Sequence, residues 1–205
     1  MPVMSALEAM VCRSAPWRLL TRRFALPWAL GGVALDGDVL EVGGGSGANA
    51  AALLDRFPAI HLTMTDVDDQ MVTAAQHRLR KFGSRGAVQR ADATALPFPD
   101  ESFDAVVSLL MLHHVVVWER CVAESARVLR PGGIFIGYDL VRSWPASIVH
   151  RLDRSPHRLA SSAEIRHELL AAAFTQVRVS TSLCGLATRF EAVRSGRQTN
   201  WVAAP

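Results

Sequence analysis

The run Val39-Leu-Glu-Val-Gly-Gly-Gly-Ser-Gly-Ala-Asn49 holds the residue types best suited to chemistry. An apolar stretch enters a turn with glycine at Gly43, Gly44, Gly45 and Gly47. Glycine accepts positive φ and lets the backbone approach a ligand without a Cβ in the way. A helix opening after such a turn offers its first N–H groups to an anionic group such as a carboxylate. Glu41, two residues before the turn, is poorly placed for a diphosphate but acceptable near a cationic group. Acids then follow in order: Asp66, Asp92 beside Ala93, and Asp104. An acid about 20 residues past a glycine turn can accept from both hydroxyls of a ribose. Asp92 is placed to accept from an exocyclic amine, and Asp104 reads as structural. Singly, each acid serves as well for a turn former or helix cap; the ordered series gives them weight. Asp66 is expected to face a cleft, so that its loss weakens binding and leaves folding almost unchanged.

These groups need elements to position them. From residue 37 short β-rich runs alternate with helical ones, the pattern of a parallel sheet with crossover helices. Strands are predicted over Asp38–Val42, Ile60–Thr65, Ala87–Arg90, Phe103–Leu110 and Ile134–Asp139. Helices are expected over Ala48–Arg56, Asp69–Phe82 and Trp118–Leu129, the last stopped by Pro131-Gly132-Gly133. Ser161-x-x-Glu164 is a capping box opening a helix to about Ala173. Phe174–Thr181 and Ala187–Arg194 close the chain as an antiparallel hairpin. The fold class is therefore α/β, a Rossmann-like, doubly wound, mostly parallel seven-stranded sheet whose ligand lies beyond the carboxyl ends of its strands. We expect a single domain over residues 1–205: cover helices over 1–36, a ligand-binding core over 37–139, and an acceptor-side segment with the last strands over 140–205.

The series Leu40-Glu-Val-Gly-Gly-Gly-Ser-Gly47, Asp66, Asp92-Ala-Thr-Ala-Leu-Pro-Phe-Pro-Asp-Glu-Ser-Phe-Asp104, Leu112-His-His-Val115 and Arg127-Val-Leu-Arg-Pro-Gly-Gly133 resembles the class I S-adenosylmethionine-dependent methyltransferases of the small-molecule, type 11 kind. The resemblance is dense over residues 38–139; Gly44 and Ser46 stand where many relatives carry other small residues. It implies that Glu41 and the turn of Gly43, Gly45 and Gly47 hold the methionine end of S-adenosylmethionine, or of its product S-adenosylhomocysteine. It further implies that Asp66 binds the ribose and that Asp92 with Ala93 holds the adenine. No metal is expected.

Two other classes share parts of the pattern. Gly43-x-Gly45-x-x-Ala48 satisfies the dinucleotide fingerprint, but Glu41 suits a diphosphate poorly. The only tyrosine, Tyr138, is followed four residues later by arginine rather than lysine. A binding module without chemistry stays open, since methyl transfer needs alignment more than any nucleophilic side chain. On the acceptor side, Ser108-Leu-Leu-Met111 stands where amine methyltransferases carry a Pro-Pro-aromatic motif, and no Pro-Cys pair is present. Asp139 is isolated in sequence and reads as ordering a loop. His113 and His114 follow the fourth strand, and a histidine near neutral pKa suits deprotonation of a hydroxyl acceptor. In an extended segment only one of the two could face the cleft; His113 is preferred, with His150 and His157 as weaker candidates. Trp17, Trp28 and Trp144 are candidate aromatic walls of an acceptor pocket formed by residues 1–36 and 139–160.

The chain has 205 residues, half of them hydrophobic and a fifth charged. That composition excludes disordered, collagen-like and low-complexity classes. Three scattered cysteines without a CxxC pair indicate neither a disulfide framework nor structural zinc. The net charge of +3 combines an acidic middle, with 13 acidic against nine basic groups over residues 37–139, and basic flanks. Lys81 is the one lysine, and no basic–aromatic alternation suggests a nucleic-acid platform. The longest apolar stretch, Ala105–Trp118, is interrupted by Ser108, His113 and His114 and falls short of the ~20 residues a membrane span needs. A small-molecule acceptor and a cytoplasmic location are expected.

Overall fold

The computed structural model describes residues 19–141, 158–182 and 185–196. Residues 19–30 form a helical lead-in that ends in α1 (Leu26–Leu30). Then come β1 (Gly37–Val42), α2 (Ala48–Arg56), β2 (Ile60–Asp66), α3 (Asp69–Leu79), β3 (Gly86–Arg90) and β4 (Phe103–Leu109). The chain continues through α4 (Trp118–Val128), β5 (Leu129–Leu140), α5 (Ser162–Ala171), β6 (Phe174–Ser182) and β7 (Ala187–Arg194). The strands form one sheet in the order β3-β2-β1-β4-β5-β7-β6. β1 runs parallel to both β2 and β4, β2 to β3, and β4 to β5. β7 is antiparallel to β5 and to β6, as the closing hairpin requires.

Both faces of the sheet are covered, which is why Val39, Leu40 and Val42 of β1 are all buried rather than alternating in and out. On one face α1, α2 and α3 contribute Leu26, Leu30, Leu53, Leu54 and Leu79 to a core cluster with β1 and β2. On the other, α4 and α5 contribute Trp118, Val122, Ile165 and Leu169 around Phe135 and Phe190. The chain reverses its winding between β1 and β4, so the crevice at their carboxyl ends is the place the topology reserves for a ligand.

Several boundaries differ from the sequence reading. α3 ends at Leu79 and passes into a 3₁₀ turn over Arg80–Arg85, broken by the left-handed Gly83. The Pro131-Gly132-Gly133 segment does not stop α4; Leu129 is already extended and pairs with Phe103. The segment lies inside β5 at a register shift opposite Phe103 and Ala105, a position that tolerates a residue without an N–H. The expected capping box is present, with Ser161 accepting from the Glu164 N–H and Glu164 from the Ser161 N–H.

Trp28 packs edge-on against Tyr138 at 5.9 Å and adjoins the core cluster under α1, so its ring is packing surface. Trp17, Trp144, His150 and His157 lie outside the described residues, as does most of the expected acceptor wall. Among the described residues no helix is long and apolar enough to cross a membrane.

Candidate active site

The turn after β1 is shaped by Gly43, Gly45 and Gly47, with φ of +62°, +55° and +75°. A side chain at Gly43 would run into Met111, whereas the space above Gly45 is open. The turn is latched from three sides. The Gly44 N–H donates to the Thr65 carbonyl, the Gly45 N–H to Asp66 Oδ2 at 2.8 Å, and Arg78 of α3 to the Ser46 carbonyl and hydroxyl. The Arg78 latch was not anticipated; the position of this arginine in the last turn of a helix gives no sequence signal of it. No side chain caps the N-terminus of α2, in contrast to α3, where Asp68 accepts from Gln70 and Met71. The first N–H groups of α2 therefore carry no side-chain cap.

Below this turn Glu41 is 1% exposed, and neither carboxylate oxygen has a hydrogen-bond partner. Burial pushes its pKa up to about 8, and the nearby Asp66 charge adds to the shift; the Ala50 N–H in α2, outside hydrogen-bond geometry, offsets part of it. A buried acid in that condition invites a cationic or donating ligand group.

Asp66 ends β2 half-buried beside the turn. Its Oδ1 accepts from the Asp68 N–H at 3.0 Å while its Oδ2 holds Gly45. Desolvation raises its pKa, against the lowering effect of those N–H groups. Asp92 lies past β3 with Oδ1 accepting from the Thr94 N–H and hydroxyl, and Ala93 is buried beside it. Asp92 thus forms a turn, as acids at strand ends often do. Asp104 is structural as expected: Oδ2 accepts from the Asp38 N–H and from Arg130 at 2.6 Å.

His113 and His114 sit in a 3₁₀ turn, Leu112–His114, not in an extended segment. Their rings therefore come within 4.0 Å of each other instead of pointing to opposite sides. Asp139 orders this loop through the N–H groups of His113 and Leu140, as expected, and in addition reaches the His113 ring, which the sequence reading did not foresee. Its Oδ1 lies 2.5 Å from His113 Nδ1, and its Oδ2 accepts from the His113 N–H at 3.0 Å. Both side chains are 3% exposed. The signal was present in the topology: β4 and β5 are parallel neighbours, so the end of one lies beside the turn that follows the other. The pair borders a small depression with Leu112, Trp118, Leu140, Arg158 and Ile165 among its walls. Met111 connects this turn to the glycine turn through its contact position at Gly43. Among the described residues no group of three or more His, Cys, Asp or Glu side chains could hold a metal ion.

Comparison with known proteins agrees with this geometry. Residues 40–137 match the family described as a methyltransferase domain. A malonyl-[acyl-carrier protein] O-methyltransferase of Geobacter sulfurreducens is 34% identical over 152 residues, covering 69% of this chain and 57% of that protein. A ubiquinone/menaquinone biosynthesis C-methyltransferase of Methylobacterium nodulans is 39% identical over 100 residues, covering 48% of this chain and 40% of that protein. The chain thus spans about half the length of the curated relatives it matches. The fold is also that of an S-adenosylmethionine-dependent methyltransferase of Thermotoga maritima, with a TM-score of 0.69 and 19% identity over 91% of this chain and 98% of the other.

Proposed function

From the match of residues 40–137 to a methyltransferase domain, we propose that this chain is a class I S-adenosylmethionine-dependent methyltransferase of the type 11 kind that transfers a methyl group to a small, partly apolar acceptor, at oxygen. The cofactor supplies a methyl group already activated by the positive sulfur that carries it. The residues present fit such a ligand. Glu41 supplies the buried carboxylate for its cationic end, the glycine turn and the uncapped start of α2 receive its carboxylate, and Asp66 stands where a ribose needs an acceptor. Asp92 and Ala93 are the proposed adenine contacts. The observation that carries the reading is Glu41, a carboxylate without a partner directly under a turn built from left-handed glycines.

Alignment is the main source of rate in this reading, and an aligned pair of reactants is worth ~7–11 kcal/mol of barrier. His113 is the proposed base for the acceptor proton, with His114 as its neighbour; the contact with Asp139 supports His113 over His114. A second reading, transfer to carbon, is favoured by the C-methyltransferase among the relatives. Calorimetry with S-adenosylmethionine, S-adenosylhomocysteine and NAD tests the cofactor assignment. Saturable binding of both S-adenosyl ligands is expected, and binding of NAD alone would reject it. Labelled-methyl transfer across phenols, quinones, carboxylic acids and amines, with the product bond identified by NMR, separates oxygen from carbon and both from a binding module without turnover.

A further inference from the structure

We propose that Met111 is a positioning residue of the methyl-transfer site, a wedge that joins the glycine turn after β1 to the turn that follows β4. This rests on the methyltransferase reading of the glycine turn. Just before the wedge, Leu110 is left-handed at φ +60° although it carries a Cβ. A residue in that conformation is strained, and such strain persists where the surrounding structure fixes it, often at a functional site. Here the Leu110 N–H donates to the Tyr138 carbonyl of β5 at 2.8 Å, so the neighbouring strand holds the strained residue in place.

The left-handed residue changes which face its successor meets. Along β4, Val106 belongs to the core cluster around Phe135, whereas Val107 and Leu109 belong to the cluster under α1 and α2. Unbroken alternation would send Leu110 to the first cluster and Met111 to the second. Leu110 instead packs against the second, and Met111 is buried in the first. Met111 thereby reaches Gly43. Its Cγ fills the space that a Cβ on Gly43 would need, with Met111 Cβ and Sδ each 3.1 Å from that point. Gly44, Gly45 and Ser46 are latched by hydrogen bonds; at Gly43 the contact is a side chain. Glycine has the most backbone freedom to lose. Filling its missing volume narrows the motion of the turn before the cofactor arrives, which lowers the ordering cost of binding. On its other side, the Met111 carbonyl accepts from the His114 N–H at 3.0 Å and closes the 3₁₀ turn Leu112–His114. One residue thus bears on both the donor cradle and the acceptor-side turn, whose mutual placement in-line transfer requires.

The experiment compares the parent with L110I, L110G, M111A and M111L. Calorimetry reads S-adenosylhomocysteine affinity, and hydrogen exchange reads the segment Leu112–Val115 with and without saturating ligand. Isoleucine keeps the apolar volume of leucine but resists a left-handed backbone, whereas glycine loses the volume and accepts the backbone. L110I should therefore weaken binding about tenfold, while L110G stays within about threefold of the parent. The reverse order, with L110I like the parent and L110G impaired, makes Leu110 packing alone and overturns the proposal. M111A should weaken binding about tenfold, and M111L should recover it to within about threefold. In the parent and M111L, saturating ligand should slow exchange over Leu112–Val115. In M111A, saturated at a higher concentration, that slowing should be lost; a residue that only fills the core would lower stability and leave it intact. Parent-like affinity and ligand-induced slowing in M111A overturn the proposal. If M111A does not fold, L110I against L110G decides. Absence of S-adenosylhomocysteine binding in the parent overturns the methyltransferase reading and the wedge with it. Binding in the parent with the contrary pattern among the variants rejects the wedge alone.

Discussion

The Gly45 N–H donates to Asp66 Oδ2 at 2.8 Å, so the acid expected to bind the ribose also closes the glycine turn. One carboxylate oxygen is engaged by the turn and the other by the Asp68 N–H. The expectation that Asp66 faces only the cleft, and is dispensable for folding, is therefore revised. Both N–H groups lose their acceptor in D66A, which should lower stability by ~1–3 kcal/mol and cofactor affinity by a similar amount. D66N keeps one acceptor oxygen but turns an NH2 toward the other N–H, while removing a carboxylate that burial disfavours. It should melt between D66A and the parent and still bind more weakly. Thermal melts and calorimetry on the two variants check this; equal melting of D66A and the parent would return Asp66 to a purely ligand-facing role.

Gly43 and Gly45 share a left-handed backbone and differ in what surrounds them. At Gly43 an added Cβ meets the Met111 side chain, and Met111 leads into the His113 turn. At Gly45 an added Cβ meets open space, where the ligand is proposed to sit. G45A should cost only the backbone penalty of about 1 kcal/mol in stability while weakening cofactor binding by more than that. G43A adds displacement of Met111 to the same penalty, ~2–4 kcal/mol in all. Denaturant midpoints with and without S-adenosylhomocysteine distinguish the two patterns. If G45A binds as tightly as the parent, the cradle is elsewhere.

The sheet and the glycine turn were legible because local signals and the global fold agree there: Ala48–Arg56 and Ala187–Arg194 have the expected bounds. The end of α4 was legible to within one residue, but the start of β5 was not, since Pro131-Gly132-Gly133 looks like a break before a strand and is a bulge within one whose start is set by pairing with Phe103. The contact of Asp139 with the His113 ring was missed for a related reason. Asp139 is 26 residues from His113, and only the adjacency of β4 and β5 brings them together. Spacing within one element is written in the sequence; contact between two strand ends depends on sheet order.

Arg127, read from the sequence only as part of a family run, holds the loop that carries Asp92. Its guanidinium donates to Glu124, Asp100 and the carbonyls of Leu96 and Phe98. Glu124 in turn accepts from the Leu96 N–H at 2.7 Å, and its carboxyl is held below the ordinary range chiefly by Arg127. The guanidinium is partly exposed, so its ion pairs count for less than its bonds to backbone carbonyls. R127M should therefore lower stability by ~1–3 kcal/mol. The segment from Asp92 to Phe98 should also lose protection in hydrogen exchange. Unchanged exchange there would show that Thr94 and the turn at Asp92 hold the loop without Arg127.

Glu41 gives the sharpest pH expectation. Its pKa of about 8 in the folded chain stands well above the ordinary 4.5, with burial the leading cause and Asp66 the second. The folded state thus binds this proton more tightly than the unfolded state does. Stability is greatest below the unfolded pKa, falls as pH rises from about 4.5 toward 8, and levels off once the acid is ionised in both states. The loss amounts to a few kcal/mol, since each unit of pKa difference is ~1.4 kcal/mol. Asp66, whose pKa is also raised, contributes with the same sign. Glutamine at this position cannot ionise, so E41Q should match the parent near pH 5 and exceed it in melting temperature near pH 8. Bound S-adenosylmethionine brings a cation to the carboxylate, which removes the penalty; the parent should therefore gain more from the ligand than E41Q does, and most at the alkaline end. Melts of both proteins from pH 5 to 9, with and without ligand, read this out. Parallel curves for the two would mean that Glu41 does not titrate in this window and that its buried oxygens find a donor in solution.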